Sequence, residues 1–173
     1  MIIALPKLAA EAVGSILASD MQRAYGSSHT RLTELIPMAA RVALDCIGIS
    51  DALYHNVEHA MLVTLVARDI AYGRWLLVPT TPEDDAHLFV ARLMHDIGYV
   101  RGILKGDESG YVIDDTGQKV SLPRGSSDAA LEPYHVDRSN PFVLDRVKVL
   151  DAAVAIAPQD RNTAFIGLRR ASL

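Results

Sequence analysis

The sequence predicts an all-α fold, and three observations lead there. Apolar residues recur at helical spacing along several separate stretches. One of those stretches opens on a full capping signature, Thr81-Pro82-Glu83-Asp84-Asp85, with a capping hydroxyl, proline at the first helical position and three acids in the first turn. Strand-like alternation is confined to two short runs on either side of Asp115-Thr116-Gly117-Gln118. The expected architecture is a bundle of five to six helices with one small β-hairpin insertion. At 173 residues the chain is read as a single domain, 1–173, with room for a sizeable core.

The first helix is expected over residues 7–24, with Leu8, Ala12, Val13, Ile16, Leu17 and Met21 on its apolar face. Gly26, Ser27 and Ser28 make a loop. Leu32–Ile47 is helical again, with Leu35, Ile36, Ala39, Val42, Ala43 and Ile47 on one stripe; Pro37 inside it predicts a kink or two shorter pieces, and Gly48 an end. Ser50 or Asp51 is a candidate cap for a helix over Tyr54–Tyr72, stopped by Gly73. That helix is so apolar (Ala60, Leu62, Val63, Leu65, Val66, Ile70) that it is expected at the centre of the core. The helix after Thr81 runs through Leu88, Phe89, Ala91, Leu93 and Met94 to His95-Asp96, closing near Gly98.

From Gly106 to Ser127 the chain is rich in Gly, Ser and Asp, and Tyr111–Asp114 and Lys119–Leu122 are expected to pair as a surface hairpin. Asp128–Tyr134 reads as one or two helical turns. Pro141–Ala157 is an amphipathic helix carrying Phe142, Val143, Val147, Leu150, Val154 and Ile156, ended by Pro158. Residues 159–173 are poorly patterned.

Half the residues are apolar and 22% are charged, the composition of a folded globular protein. Seventeen basic against 21 acidic residues give a formal charge of −4, which offers no electrostatic case for nucleic acid or a membrane surface. The one cysteine, Cys46, rules out an internal disulfide framework and fits a reducing compartment; it is expected to be a small buried residue and not a nucleophile. No run approaches the roughly 20 apolar residues of a membrane span, and no basic segment leads into a long apolar one at the start. A cytoplasmic location is the expectation.

Chemistry concentrates in two places. His55 and His59 are four apart, which on a helix means one face and one turn. His95 and Asp96 sit side by side at the end of another helix. Imidazole nitrogen with carboxylate oxygen suits a divalent metal such as zinc, iron or manganese. The expectation is that the two helices converge on a metal that activates water. Glu58, beside His59, is a candidate acid or water-orienting base, or a solvated helix face.

Later in the chain, Tyr134-His135-Val136-Asp137-Arg138-Ser139 offers His135 for a second metal site and Arg138 as a phosphate clamp, against the alternative of a structural loop histidine. Asp151 lies in an apolar helix stripe, where a buried carboxylate needs a partner that a metal would supply, against the alternative that it faces solvent; Asp145 and Asp160 are further candidates. Arg92, Arg101, Lys105 and Arg124 lie close enough to His95-Asp96 in sequence to reach a phosphate. No glycine-rich phosphate loop, serine elbow or Cys-x-x-Cys pair occurs.

Tyr54-His55-Asn56-x-x-His59-Ala60 followed by His95-Asp96-Ile97-Gly98 resembles the HD superfamily of metal-dependent phosphohydrolases. The first motif is similar to that of the class I cyclic nucleotide phosphodiesterases. The resemblance covers residues 30–105 and, beyond them, extends only to helical character. It implies an HD-domain-like helical bundle in which His59, His95 and Asp96 bind a divalent ion (Zn, Mn, Fe or Mg). His55 would protonate the leaving group, Asn56 would orient its neighbours, and Asp96 would bridge two ions if the site is binuclear.

The implied activity is hydrolysis of a small-molecule phosphoester, of a nucleotide or related phosphate, by metal-activated water. The family pattern ends with a further Asp on a later helix, where Asp151 is the best this chain offers; the chain departs from the pattern there, and the expectation is of a domain short at its C-terminus. Two other readings follow: a degenerate, non-catalytic HD module that binds a ligand or partner, and a di-iron HD-type oxygenase, for which only His135 is placed as an extra ligand. The loop from Gly106 to Ser127 either covers the site or mediates pairing into a homo-oligomer.

Overall fold

The periodic stretches fold as helices. The computed structural model describes residues 5–151, with side chains over 6–146. In it α1 spans Leu5–Tyr25, α2 Thr30–Ile47, α3 Val57–Trp75, α4 Pro82–Met94 and α5 His135–Asp151. Strands β1 (Tyr111–Val112) and β2 (Lys119–Val120) pair antiparallel with Tyr111 opposite Val120. Short 3-10 stretches occur at Ser27–His29, Ile97–Tyr99 and Asp128–Tyr134. The all-α bundle with one small hairpin is the architecture observed. No helix among the described residues is long and apolar enough to cross a membrane.

The most extensive helix pair is α1 with α2. Ala10, Val13, Leu17 and Met21 are the buried stripe of α1, and Ile36, Ala39, Ala40, Ala43 and Ile47 that of α2. Leu8 and Ile16, expected inside, lie on the solvent side of that stripe. Pro37 does not divide α2, which runs unbroken through it. A Cβ at Gly14 would stand 2.8 Å from the Pro37 Cα, so the helices touch backbone to ring, and this close packing offsets the hydrogen bond proline cannot make.

Helix α3 departs from expectation at both ends. It begins at Val57 and not Tyr54, because the Asn56 side chain is the cap: its Oδ1 accepts from the His59 N–H at 3.0 Å and its Nδ2 donates to the Leu53 carbonyl at 2.9 Å. It runs through Gly73 to Trp75. Nor is it the centre of the core. It buries Ala60, Thr64, Ala67 and Ala71, while Leu62, Val66 and Ile70 are exposed. A stripe of small residues lets α3 lie close to α4 and α1, and the larger side chains face away.

Polar knots fix the helix ends. Thr81 and Asp84 form a reciprocal capping box at 3.1 Å each. Asp85, predicted only as a first-turn acid, is buried and accepts from Trp75 Nε1 at 2.6 Å and from the Tyr25 hydroxyl. Burial and the Asp85 carboxylate push the Tyr25 phenol up to about 12. Asp85 thereby joins the ends of α1 and α3 to the start of α4. Asp20, fully buried on α1, binds Arg68 of α3 and Arg23; burial alone would raise its carboxyl, but bonds from Arg68, Tyr72 and Arg23 hold it below the usual range.

Helix α5 begins at His135, six residues before the expected Pro141, which is instead inside the helix. Ala152–Ala157, Pro158 and residues 159–173 lie outside the described residues. The start of α5 presses on the turn after Asp96. A Cβ at Gly98 would fall 1.9 Å from the His135 carbonyl oxygen, so only glycine fits. The Gly98 N–H donates to Ser139 Oγ at 3.0 Å.

Arg138 is completely buried and extends beneath this turn. It donates to the carbonyls of Gly98 at 2.7 Å, Val100 at 3.0 Å and Val112, and to both oxygens of Asp107 at 3.0 and 3.2 Å. One guanidinium thus ties α5, the turn and the hairpin together. Gly98→Ala is expected to lower stability by about 3 kcal/mol, since backbone and not a yielding side chain must move; urea denaturation measures it, and a loss within error of zero would contradict this packing.

Candidate metal centre

The site is assembled from three local structures. His59 lies in the first turn of α3, held there by the Asn56 cap. His95 is the C-cap of α4, and Asp96 follows at the start of the Ile97–Tyr99 turn. His55 lies in the short irregular segment before α3, so the i, i+4 pair does not share a helix as expected; Asn56 ends the helix between the two. That segment has its own anchor. Asp51 and Asp128 accept from each other's backbone N–H at 2.5 and 3.1 Å, and Arg101 binds both carboxylates. The His55 ring then stacks on Tyr99, centroids 4.0 Å apart.

These pieces converge on one oxygen. Asp96 Oδ2 is 2.8 Å from His55 Nδ1, 3.2 Å from His59 Nε2 and 3.1 Å from His95 Nε2. Asp96 is buried and the three imidazoles are partly so. His95 Nδ1 donates to the Arg92 carbonyl at 2.6 Å, which fixes the ring with Nε2 as the nitrogen that faces Asp96. Burial, only partly opposed by Asp96, pushes His59 below the usual imidazole range and favours its neutral form. Burial would raise Asp96, but His95 and His55 overcome it and hold the carboxyl at about 2. The centre therefore holds an ionised carboxylate among nitrogens of which at least His59 prefers to be uncharged, an arrangement that a cation completes.

Donor spacing agrees with that reading. One atom each from His55, His59 and Asp96 lie within 4.8 Å of one another. Two ligands of one ion, each about 2.0–2.2 Å from it, stand at most about 4.4 Å apart, so closing on an ion requires shifts of a few tenths of an ångström. This group could hold a metal ion.

The other sequence candidates are placed as follows. Glu58 is exposed on α3 and stands outside the buried cluster. Asn56 orients His59 through the backbone cap. His135 is half-buried, donates from Nδ1 to the Glu132 carbonyl at 2.6 Å and stacks on Tyr99 at 4.5 Å, 6.4 Å from His55. Arg138, read as a phosphate clamp, is corrected to an internal tie, because its donors are spent on carbonyls and Asp107. The side chain of Asp151 lies outside the described residues, as does Asp160, while Asp145 is exposed. Arg101 is committed to Asp51 and Asp128, and Arg92 lines a 350 Å3 groove beside His59 with Tyr54, Leu62 and Val63. Cys46 is half-buried, with burial pushing its thiol up.

Sequence reasoning missed Tyr99. It stacks against both His55 and His135, and burial with the nearby Asp96 charge pushes its phenol to about 12. Its only signal was an aromatic three residues after Asp96. Asp107, the partner of Arg138, gave no signal at all within its Gly-rich loop.

The profile of one protein family, described as Npun_R2479-like, matches residues 4–163. The chain belongs to the Npun_R2479-like family. That match covers both histidine-bearing segments and all five helices. No curated protein and no solved structure matches the chain.

Asp96 also makes a measurable contribution to folding. Its carboxyl sits at about 2 against an ordinary 3.8, so its contribution is complete above about pH 4 and is lost as pH falls toward 2, on the order of 2 kcal/mol. Metal-free wild type should lose about that much more stability than Asp96→Asn between pH 5 and pH 2, read by chemical denaturation. Parallel pH profiles would show that the imidazoles do not hold the carboxylate ionised.

Proposed function

We propose that the chain is a metal-dependent phosphohydrolase of the HD type, acting on a phosphoester of a nucleotide or a similar small phosphate. The observation that carries this reading is the meeting of three imidazole nitrogens on one buried, ionised carboxylate oxygen, from the residues whose motif resembles that superfamily. His59, His95 and Asp96 would hold the ion, with His55 close enough to join them. Two or more imidazoles with one carboxylate favour zinc, manganese or iron over magnesium.

A divalent ion in this place supplies acidified water near neutral pH and offsets charge on the phosphoryl oxygens. The remaining chemistry belongs to the chain. His55 directs Nδ1 at Asp96 and is fixed in orientation by Tyr99, so Nε2 is the nitrogen left to carry a proton to the departing oxygen. Asp96 stabilises the imidazolium that holds that proton, and the Asn56 cap and the Arg92 carbonyl fix the rings of His59 and His95. Arg92 brings a cation to the groove that His59 lines, where a phosphate would gain from it.

Elemental analysis of the purified protein, with turnover of p-nitrophenyl phosphate, bis-p-nitrophenyl phosphate and cyclic nucleotides, is the test. Stoichiometric metal with hydrolysis is expected, and His59→Ala should abolish both. His55→Asn should keep the metal and lose roughly 10^2- to 10^4-fold in rate; loss of the metal with it would make His55 a ligand. Metal retained with no turnover of any ester would sink the hydrolase reading, and activity surviving in His59→Ala would sink the site.

A further inference from the structure

The exposed face of α3 has an order that its burial does not explain. Glu58, Leu62, Val66, Ile70 and Arg74 follow one another at steps of four and are all exposed, so they form a single ridge along the helix. Leu62 is 56% exposed, Val66 57% and Ile70 64%. The ridge reads acid, apolar, apolar, apolar, base, and Val66 is its midpoint. Turned end for end it is complementary to itself.

The flanks extend the pattern. Before the helix come Leu53 and Tyr54, and after it Leu76, Leu77 and Val78, with Leu53 94% and Leu77 84% exposed. Each of these apolar residues is at least half exposed, and a standard interface takes about 800 Å2 from each partner, which a face of this many large side chains can supply. Among the described residues neither Glu58 nor Arg74 forms a salt bridge, and Arg74 acts only at longer range, helping to hold the Asp84 carboxyl below its usual range.

We infer that α3 pairs with the α3 of a second copy of this chain, antiparallel, across a two-fold axis at Val66. The axis sets Val66 against the partner's Val66, Leu62 against the partner's Ile70, and Glu58 against the partner's Arg74. It also brings Leu53 and Tyr54 toward the partner's Leu77 and the partner's Val78. Such an interface is isologous, and each contact occurs twice. Since the groove beside His59 also lies on this face, pairing places the second copy along its apolar wall. The inference requires neither a metal nor hydrolysis.

Sedimentation velocity of the full chain tests it, with a species of twice 18.8 kDa expected. Val66→Arg, which sets two like charges on the axis, should yield monomers whose circular dichroism is unchanged. Glu58→Arg alone should weaken association about tenfold, Arg74→Glu alone likewise, and the double exchange should restore it. Val66→Cys should cross-link to itself on oxidation. A monomer at high micromolar concentration overturns the inference, and a monomeric Val66→Cys variant whose introduced thiol is shielded from thiol reagents assigns the face to the chain's own residues 152–173 instead. A dimer indifferent to Val66→Arg, or single charge reversals that the double exchange does not rescue, overturns it equally.

Discussion

The Asp96 carboxylate is the point on which the molecule's organisation turns. A buried charge is tolerated only where opposite charge or strong donors surround it, and here three imidazoles from two helix ends and an irregular segment do so. The surroundings follow from that need. The Asn56 cap sets the start of α3 so that His59 faces inward, the Arg92 carbonyl fixes the His95 ring, and Tyr99 supports His55. Each of these contacts would be of small consequence alone. Together they determine where three imidazole nitrogens point.

Around the centre lies a frame of buried polar ties. Arg138 and Asp107 lock the turn after Asp96 to α5 and the hairpin, Asp51, Asp128 and Arg101 anchor the segment bearing His55, and Asp85 gathers the ends of α1, α3 and α4. These groups are charged and yet structural. Their partners are mostly backbone carbonyls, N–H groups or one another, which leaves little capacity for a ligand. The Asp96 centre differs in kind, because its nitrogens face a common point with only a carboxylate oxygen between them.

Much of the fold was legible in the sequence, and the misreadings have physical causes. The Thr81 capping box, the apolar stripe of α2 and the small hairpin depend on residues a few positions apart, so local pattern suffices to find them. Helix α3 starts later than the apolar pattern suggests because Asn56, a residue type that favours the cap position strongly, takes that place. The burial of α3 was misread because hydrophobicity says that a surface wants covering without saying by what. Its small residues proved to be the buried face, with Val57 and Met61 beside them, and Leu62, Val66 and Ile70 are left for the outside. Arg138 looked like a ligand-binding cation because its partner Asp107 lies 31 residues away in an unpatterned loop.

The sequence by itself determined the helices, the hairpin and the identity of the donor groups, since each rests on spacing within a turn or two of chain. Only the tertiary structure decided that His55 and Asp96, 41 positions apart, would touch, and that Gly98 would lie against the backbone of His135. The reason is physical: periodicity and capping act over about four residues, whereas which side chains meet is settled by how whole helices pack, and no local preference records that.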